Sequence, residues 1–225
     1  MKANLVLLLI SVLRGSTFMP DLTGPSMAYL KSTVTFECTM SVSTSPPIFD
    51  LIKDDGKILA TRDDPQEDQP IRFYLKVSME SEGVYFCRVT SRGQKSMSNP
   101  VHLQVVIPVQ GTYIVPDPDP PVLYERAGLI LRCEVKKGTH LDYDWYHNKQ
   151  EVTSPSSLYH LAENTMRVDS ASERHAGTYS CVAKNRMKNN TRYSSSMPVT
   201  VHVKSKCCLY EEKVLLNPDP KLKHL

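Results

Sequence analysis

The sequence predicts an all-β protein built from two β-sandwiches in tandem, and three observations carry this prediction. Cys38 and Cys87 lie 49 residues apart, and Cys133 and Cys181 lie 48 residues apart. Both later cysteines close the same motif, Gly-x-Tyr-x-Cys, and apolar residues recur at every second position around each cysteine. A spacing and a motif that recur together indicate a repeated domain, and a period of two indicates strands.

The alternating segments supply the strands of each half. One side of each segment is apolar and the other polar, which is typical of a half-buried antiparallel strand. Turn signals such as Asp54-Asp55-Gly56 separate the segments. The apolar positions in the first half are Val34, Phe36, Cys38, Ile71, Phe73, Leu75, Val77, Val101, Leu103 and Val105, and those in the second half are Leu129, Leu131, Cys133, Val135, Leu141, Tyr143, Trp145, Val199, Val201 and Val203.

The two Gly-x-Tyr-x-Cys motifs resemble the tyrosine corner of the immunoglobulin superfamily. The resemblance covers residues 24–203 and implies two tandem Ig-like sandwiches of the C2 type. It implies one disulfide in each sandwich, Cys38 with Cys87 and Cys133 with Cys181, and a cross-link that closes such a loop contributes about 4 kcal/mol. The core residues that it implies are Tyr85, Trp145 and Tyr179.

The sequence departs from the superfamily pattern at two places. The position two residues before the corner glycine is usually Asp in these domains, but it holds Ser81 in the first half and His175 in the second. The first half also has no tryptophan. We expect Leu51 or Phe49 to fill that place, because a hydrophobic residue of adequate size is enough for the core.

Short strings resemble particular groups within the superfamily. Residues 45–51 are similar to a strand of Fc-receptor-like proteins and of the platelet–endothelial adhesion molecule group, and residues 98–105 are similar to the closing strand of Fc-receptor-type domains. Residues 181–186 resemble the last domain of allergin-type two-domain immune proteins, and the two-domain plan is also similar to that of a secreted interleukin 40-like relative. The resemblance implies an immune protein that binds a protein partner.

The amino terminus has the layout of a secretory signal peptide. Lys2 precedes an apolar run over residues 5–13, and small residues follow. The run is too short to span a bilayer and lacks the helical periodicity of a buried core helix, the other interpretation. We assign residues 1–19 to the signal peptide, with cleavage between residues 15 and 22. No later stretch predicts a membrane span, so we expect a secreted, extracellular protein, or an anchored form on the external side of the plasma membrane.

The mature chain is divided into domain 1 (20–107), domain 2 (108–203) and a polar tail (204–225). Loss of Lys2 and Arg14 with the leader lowers the formal charge of +3 to +1. This disfavours nucleic acid as a partner, because phosphate binding needs many cations.

The tail keeps two adjacent cysteines, Cys207 and Cys208. Neighbouring cysteines bridge one another only with strain. Two interpretations stay open: an intermolecular disulfide that makes a homodimer, or a tail left when an anchored relative loses its membrane segment.

Two cationic loops are candidate binding sites, because sandwiches bind through end loops or through an exposed sheet face. The first is the loop from Arg88 to Lys95, which includes Arg92, and the second is the segment 184–192. An ordinary solvated hairpin tip is the alternative for both. Asn189 begins the single N-glycosylation sequon, and a glycan there would shield the second loop. We therefore predict that the partner contacts domain 1 or the bend between the domains.

No catalytic, cofactor or metal site is predicted. The seven histidines show no metal-ligand spacing. The sequence contains no Gly-rich phosphate loop, nucleophile elbow or Ser/His/Asp set. We therefore predict a protein that is not an enzyme.

Three functions fit these observations. The first is a soluble receptor or cytokine-like ligand of the Fc-receptor-like group that binds a protein on immune cells. The second is a homophilic or heterophilic cell-adhesion module. The third is a secreted carrier that binds glycans through basic loops, which the near-neutral charge disfavours.

Overall fold

The structure is a computed structural model that describes residues 19–40, 46–63 and 69–205. It divides into two compact units, unit 1 up to Val105 and unit 2 from Val106. Each unit is a sandwich of two β-sheets, which confirms the predicted fold class. Almost all of the predicted signal peptide and most of the predicted tail lie outside the described residues, and the domain boundaries stay predictions.

Unit 1 is built from β1 to β9. The three-stranded sheet has the order β1-β3-β6, and the six-stranded sheet has the order β2-β9-β7-β4-β5, with β8 paired to β7. The strands are β1 (Asp21–Thr23), β2 (Met27–Tyr29), β3 (Thr33–Thr39), β4 (Ile48–Lys53), β5 (Ile58–Arg62), β6 (Ile71–Lys76), β7 (Gly83–Ser91), β8 (Gln94–Met97) and β9 (Val101–Val106).

Unit 2 repeats the arrangement with β10 to β19. Its four-stranded sheet has the order β10-β12-β16-β15, and its six-stranded sheet has the order β11-β19-β17-β13-β14, with β18 paired to β17. The strands are β10 (Gln110–Asp117), β11 (Val122–Tyr124), β12 (Leu129–Lys137), β13 (Leu141–His147), β14 (Gln150–Val152), β15 (His160–Ala162), β16 (Thr165–Val168), β17 (Gly177–Asn185), β18 (Tyr193–Ser195) and β19 (Val199–Lys204).

A disulfide lies between the two sheets of each unit. Cys38 is bonded to Cys87, and Cys133 to Cys181, with Cα atoms 6.2 Å apart in both pairs. The residue on the neighbouring strand opposite Cys181 is Trp145, and both belong to the buried core of unit 2. The register of unit 1 places Leu51 opposite Cys87 in the same way. Leu51 therefore stands where unit 2 has its tryptophan.

The tyrosines of both motifs bond back to the turn before them. The Tyr85 hydroxyl donates to the Ser81 carbonyl at 2.6 Å, and the Tyr179 hydroxyl donates to the His175 carbonyl at 2.8 Å. These carbonyls end two short 3₁₀ helices, Met79–Ser81 and Glu173–His175. The buried rings and their hydrogen bonds therefore hold the start of β7 and of β17 against the 3₁₀ helix that precedes each strand.

Serine and histidine cap these two turns in place of the usual aspartate. The Ser81 hydroxyl accepts a hydrogen bond from the Ser78 backbone N–H at 2.9 Å. The His175 Nδ1 accepts one from the Ser172 backbone N–H at 3.0 Å. Each side chain satisfies a backbone donor at the start of its helix, which is the task of a capping residue.

The corner glycine of unit 2 is required by its backbone. Gly177 has a φ of +135°, which favours glycine, and a Cβ at this position would collide with the Asn148 side chain. Asn148 occupies that space because its Oδ1 accepts the Thr178 backbone N–H at 2.9 Å. The glycine of the motif is thus explained by a close approach of two segments.

The last strand of each sandwich is interrupted by a Ser-x-Pro segment. In unit 1 the Ser98 hydroxyl accepts the Cys87 backbone N–H at 2.8 Å. In unit 2 the Ser196 hydroxyl accepts the Cys181 backbone N–H at 3.0 Å. Each serine replaces a ladder partner where the strand changes course, and the proline that follows at position 100 or 198 provides no N–H.

The segment that opens unit 2 is bonded by Asn185. This residue is 1% exposed, and its amide group donates to the carbonyls of Ile107 and Thr139, both at 2.9 Å. Its Oδ1 accepts the Val109 backbone N–H at 3.0 Å. These bonds join the segment that follows β9 to the end of β17 and to the turn before β13.

Candidate partner-binding face

The predicted cationic loop of domain 1 is a tight hairpin. Arg88 lies in β7 and Lys95 in β8, and the two strands are joined by a turn at Arg92-Gly93. Both turn residues have positive φ, +49° and +78°, as two-residue hairpin turns require. The predicted loop from Arg88 to Lys95 has the wrong bounds, because β7 continues past Cys87 to Ser91. Only Arg92 and Gly93 form the turn. Arg88 and Lys95 belong to a sheet face.

That face is the outward side of the six-stranded sheet of unit 1, which we call the unit 1 face. Its residues are placed by the strand register: Ile52 is opposite Phe86 and Ile58, Asp50 is opposite Arg88 and Thr61, and Arg88 is opposite Met97. Residues opposite one another on paired strands point to the same side of the sheet. The core side is taken by the alternate residues, such as Phe49 and Leu51.

The unit 1 face is rich in apolar residues. Ile48, Ile58 and Met97 are 43%, 48% and 41% exposed, while Ile52 is buried and Phe86 half-buried. Apolar residues on both sides of a strand are expected only where both sides are covered. The outward side of this sheet is therefore apolar where a simple solvent-facing sheet would be polar.

A buried carboxylate and its arginine lie in the middle of the face. Asp50 is 6% exposed, and its Oδ2 accepts hydrogen bonds from Arg88 Nε at 3.1 Å and Nη2 at 2.7 Å. Its Oδ1 accepts the Thr61 hydroxyl at 2.6 Å. Burial alone would raise the pKa of Asp50, but the hydrogen bonds from Thr61 and Arg88 and the charges of Arg88 and Lys95 outweigh it and lower the pKa. The two hydrogen bonds that Arg88 donates to Asp50 Oδ2 fix the guanidinium in one orientation.

Cations border the apolar residues of the unit 1 face. Lys95 is exposed and has Thr90 as its strand partner, on the same side of β7 as Arg88. The Arg88 side chain keeps 25% of its area exposed. Asp50 is buried beneath them, so it compensates one of these charges from below. The face therefore combines an apolar centre with a positive border.

The matching side of unit 2, which we call the unit 2 face, is polar. Trp145 opposite Cys181 sets the equivalence with Leu51 opposite Cys87. At the places of the five apolar residues Ile48, Ile52, Ile58, Phe86 and Met97, the unit 2 face has Asp142, Tyr146, Glu151, Ser180 and Ser195. At these five places the outward side of the sheet is apolar in unit 1 and polar in unit 2.

The cations of the second predicted loop are largely paired. Lys184 lies in β17, where its Nζ donates to both oxygens of Asp144 at 2.8 and 2.9 Å. The hydrogen bond from Lys184 to Asp144 raises the pKa of the lysine. Arg186 Nη2 donates to Asp142 Oδ1 at 2.8 Å. Two of the four cations of segment 184–192 are therefore neutralised by carboxylates of the neighbouring strand.

The remaining predicted residues are placed as follows. Asn189 is exposed in the loop between β17 and β18. Tyr85, Trp145 and Tyr179 are each no more than 1% exposed and belong to the cores. Cys207 and Cys208 lie outside the described residues, so the intermolecular disulfide stays a prediction.

Sequence reasoning missed the apolar residues of the unit 1 face. The sequence signal for this face lies in residues 48–52. Apolar residues there occupy both the inward and the outward positions of the strand, and Asp50 is the one polar residue. The same holds for residues 84–87 of β7, where Phe86 follows the core residue Tyr85. A pairwise comparison of the two halves, position by position from the cysteines, would have shown the difference from Asp142 and Ser180.

The described residues contain neither a cluster of metal ligands nor a membrane-spanning helix. Within ranges 19–40, 46–63 and 69–205, no group of three or more His, Cys, Asp or Glu side chains could hold a metal ion. No helix in these ranges has the length and apolar character needed to cross a membrane.

Three relatives illustrate the sequence similarity. Mouse B-cell receptor CD22 is 25% identical over 174 residues, which cover 73% of this chain and 18% of that protein. Human Fc receptor-like protein 5 is 28% identical over 133 residues, 57% of this chain and 13% of that protein. Human HEPACAM family member 2 is 28% identical over 107 residues, 46% of this chain and 23% of that protein. The chain spans less than a quarter of the length of these relatives.

Solved structures and family models agree on the fold. Murine CEACAM1b matches with a TM-score of 0.58 at 15% identity, over 82% of this chain and 100% of that chain. The titin I-band fragment I67-I69 matches with a TM-score of 0.55 at 18% identity, over 83% of this chain and 66% of that chain. Immunoglobulin domain models match residues 20–105 and residues 113–185. The predicted resemblance is confirmed: the chain belongs to the immunoglobulin superfamily and carries two immunoglobulin domains.

Proposed function

We propose that this chain is an extracellular immune receptor or ligand without catalytic activity, and that a protein partner binds the unit 1 face. Relatives named as a B-cell receptor and an Fc receptor-like protein support the class. The observation that carries the site is the apolar character of the unit 1 face against the polar unit 2 face. Apolar residues are kept on the outward side of a sheet where another surface covers them.

The partner is a protein with an apolar patch bordered by acidic groups. Ile48, Ile58 and Met97 supply exposed apolar area, and the centre of a protein interface is depleted of charge while its rim is polar. Lys95 gives the border of the face a positive charge. Charges of opposite sign on the partner's rim would steer the encounter and set its orientation.

Arg88 is the residue of the unit 1 face with the strongest expected contribution to binding. Arginine is enriched at the energetic centres of interfaces. Asp50 fixes the position of Arg88, and the Thr61 hydroxyl in turn fixes the position of Asp50. A side chain that is already ordered loses little entropy on binding.

The paired cations of unit 2 disfavour a glycan-binding carrier. Lys184 and Arg186 are each bonded to an aspartate at 2.8 Å, so a sulfated glycan would have to displace a carboxylate at both places. Self-association through the unit 1 face is the remaining alternative, and it requires apolar patches that match between two copies.

The class of function is tested by cell binding. The tagged full chain is expressed in a secreting animal cell line and incubated with a panel of leukocytes and endothelial cells. We expect saturable binding to one class of leukocyte that persists at about 0.5 M salt, where exposed charges are screened. Heparinase treatment of the cells should leave the binding unchanged.

Two outcomes would contradict the proposal. Binding lost at about 0.5 M salt or after heparinase would indicate glycan capture. Binding confined to cells that display the same chain would indicate homophilic adhesion.

A further inference from the structure

The loop that joins β7 to β8 in unit 1 differs from the loop that joins β17 to β18 in unit 2. In unit 1 the connection is the two-residue turn Arg92-Gly93. In unit 2 it runs over residues 186–192, and it contains the sequon that begins at Asn189. A sequon acts as an acceptor only where the asparagine is accessible on a surface loop of a secreted protein. The loop of unit 2 meets the first of these conditions.

Backbone hydrogen bonds hold the base of this loop, and its tip is exposed to solvent. Arg186 N–H donates to the His140 carbonyl at 2.6 Å, and Asn185 N–H donates to the Arg192 carbonyl at 2.8 Å. Within the loop, the Thr191 hydroxyl donates to the Met187 carbonyl at 2.9 Å. Residues 188–191 are all exposed. In the described part of the chain no hydrogen bond engages the Asn189 side chain, so its amide nitrogen is accessible.

An exposed aromatic ring lies directly beyond the sequon. Tyr193 begins β18, and 73% of its area is exposed to solvent. Its Cα partner on β17 is Lys184, so the ring lies on the unit 2 face. The Lys184 ammonium itself is bonded to Asp144. The face of a sugar ring carries C–H groups that pack well against such a ring.

We propose that Asn189 carries an N-linked oligosaccharide and that this glycan covers Tyr193 and closes the unit 2 face to protein partners. The inference rests on the extracellular location in the proposed function. It gives the 73% exposed ring of Tyr193 a covering surface. It also assigns partner binding to unit 1 by exclusion from unit 2.

The modification is a group transfer from a lipid diphosphate-linked oligosaccharide. The Asn189 Nδ2 attacks the anomeric carbon, the C–N bond forms, and the bond from that carbon to the diphosphate oxygen breaks. The lipid diphosphate leaves, and the amide nitrogen loses one proton to a base of the transferase. No electron is exchanged.

Occupancy of Asn189 is tested on the full chain secreted by animal cells. Digestion with peptide-N-glycosidase should increase the gel mobility of the wild type, and mass spectrometry should find Asp at position 189 afterwards. Asn189→Gln and Thr191→Ala should both abolish the shift. Asn190→Gln is the matched control, since it keeps the Asn-x-Thr pattern and should leave the shift unchanged. A wild-type protein secreted with both disulfides formed but without glycan would overturn the proposal.

Cover of Tyr193 is tested by iodination of surface tyrosines under native conditions, read out by peptide mass spectrometry. We expect the labelling of Tyr193 to rise several-fold in Asn189→Gln and after enzymatic removal of the glycan. Tyr74, which is 65% exposed in unit 1, is the internal control and should not change. Equal labelling of Tyr193 in wild type and Asn189→Gln would overturn the cover. Neither readout uses the partner, so a failure of the proposed function would not affect them.

Discussion

The two units share a fold but differ in the outward face of the same sheet. In unit 1 this face has Ile52 and Phe86 beside a buried Asp50–Arg88 pair. In unit 2 the corresponding places hold Tyr146 and Ser180. The cores need the same disulfide and the same tyrosine corner, so those elements are common to both. The difference teaches that the outward positions of the sheet, which folding constrains less than the core, can diverge between two copies of one fold.

The cores also differ, and Trp145 at the place of Leu51 gives the largest expected effect. Trp145→Ala removes the largest buried side chain of unit 2. We expect a loss of about 3–5 kcal/mol in the free energy of unfolding of unit 2, since the cavity cannot close around a disulfide. Urea unfolding followed by circular dichroism should show one transition shifted to lower urea. If the loss is under about 1 kcal/mol, Trp145 does not fill the core as described.

The next largest effect is expected at Asp50, whose replacement should cost more stability than replacement of the equivalent Asp144. Asp50→Ala leaves Arg88 partly buried without its partner and should cost about 2 kcal/mol in unit 1. Asp144→Ala removes a pair whose Lys184 side chain is 38% exposed, and should cost about 0.5 kcal/mol in unit 2. Both losses are measured by urea unfolding. Equal costs would contradict the distinction between a buried and an exposed pair.

The Asp50 pair also has a pH dependence with a defined sign. The folded-state pKa of Asp50 lies below its ordinary value. Its contribution to stability is therefore fully present above the unfolded-state pKa of about 3.9 and is lost as the pH falls through the lower folded-state pKa. Urea titrations between pH 7 and pH 2 should show that the cost of Asp50→Ala shrinks only below about pH 4. A cost that shrinks already near pH 6 would contradict this assignment.

The caps of the two tyrosine corners give a smaller expected effect than the Asp50–Arg88 pair. Ser81→Ala removes the acceptor for the Ser78 N–H and should cost about 1 kcal/mol in unit 1, a typical cost for a lost cap. Ser81→Asp is the matched control, because a carboxylate at this position can accept the same bond. A Ser81→Asp variant as unstable as Ser81→Ala would show that the hydroxyl does not act as a cap.

Much of the fold could be predicted from the sequence because the core has a strict period. Cysteine spacing, alternation and the Gly-x-Tyr-x-Cys motif each follow from burial, and burial leaves a signal in one sequence. Leu51 at the tryptophan place was one of two residues expected there, and the register selects it over Phe49. The capping role of His175 could not be predicted, since only the geometry shows that Nδ1 accepts the Ser172 N–H.

The candidate site was predicted less well. The sequence suggested a cationic loop, but Arg88 and Lys95 lie in strands, and charge alone does not distinguish a paired cation from an unpaired one. Arg88 is bonded to Asp50, a residue 38 positions away in the chain. Such a pair depends on the strand register, which is a property of the assembled sheet. Asn185 was assigned to a loop for the same reason, although it is buried and bonded to Ile107.

The central claim is that the unit 1 face binds the partner, and one pair of variants tests it most directly. Met97→Glu and Ser195→Glu place the same charge at equivalent positions of the two units. Both positions are exposed, so both variants should fold, which circular dichroism checks. Binding of the tagged chain to its target cells is then measured by flow cytometry.

We predict that Met97→Glu lowers the affinity at least tenfold, because it places a carboxylate in the apolar centre of the interface. Ser195→Glu should bind like the wild type. Equal binding of the two variants, or a loss confined to Ser195→Glu, would contradict the account.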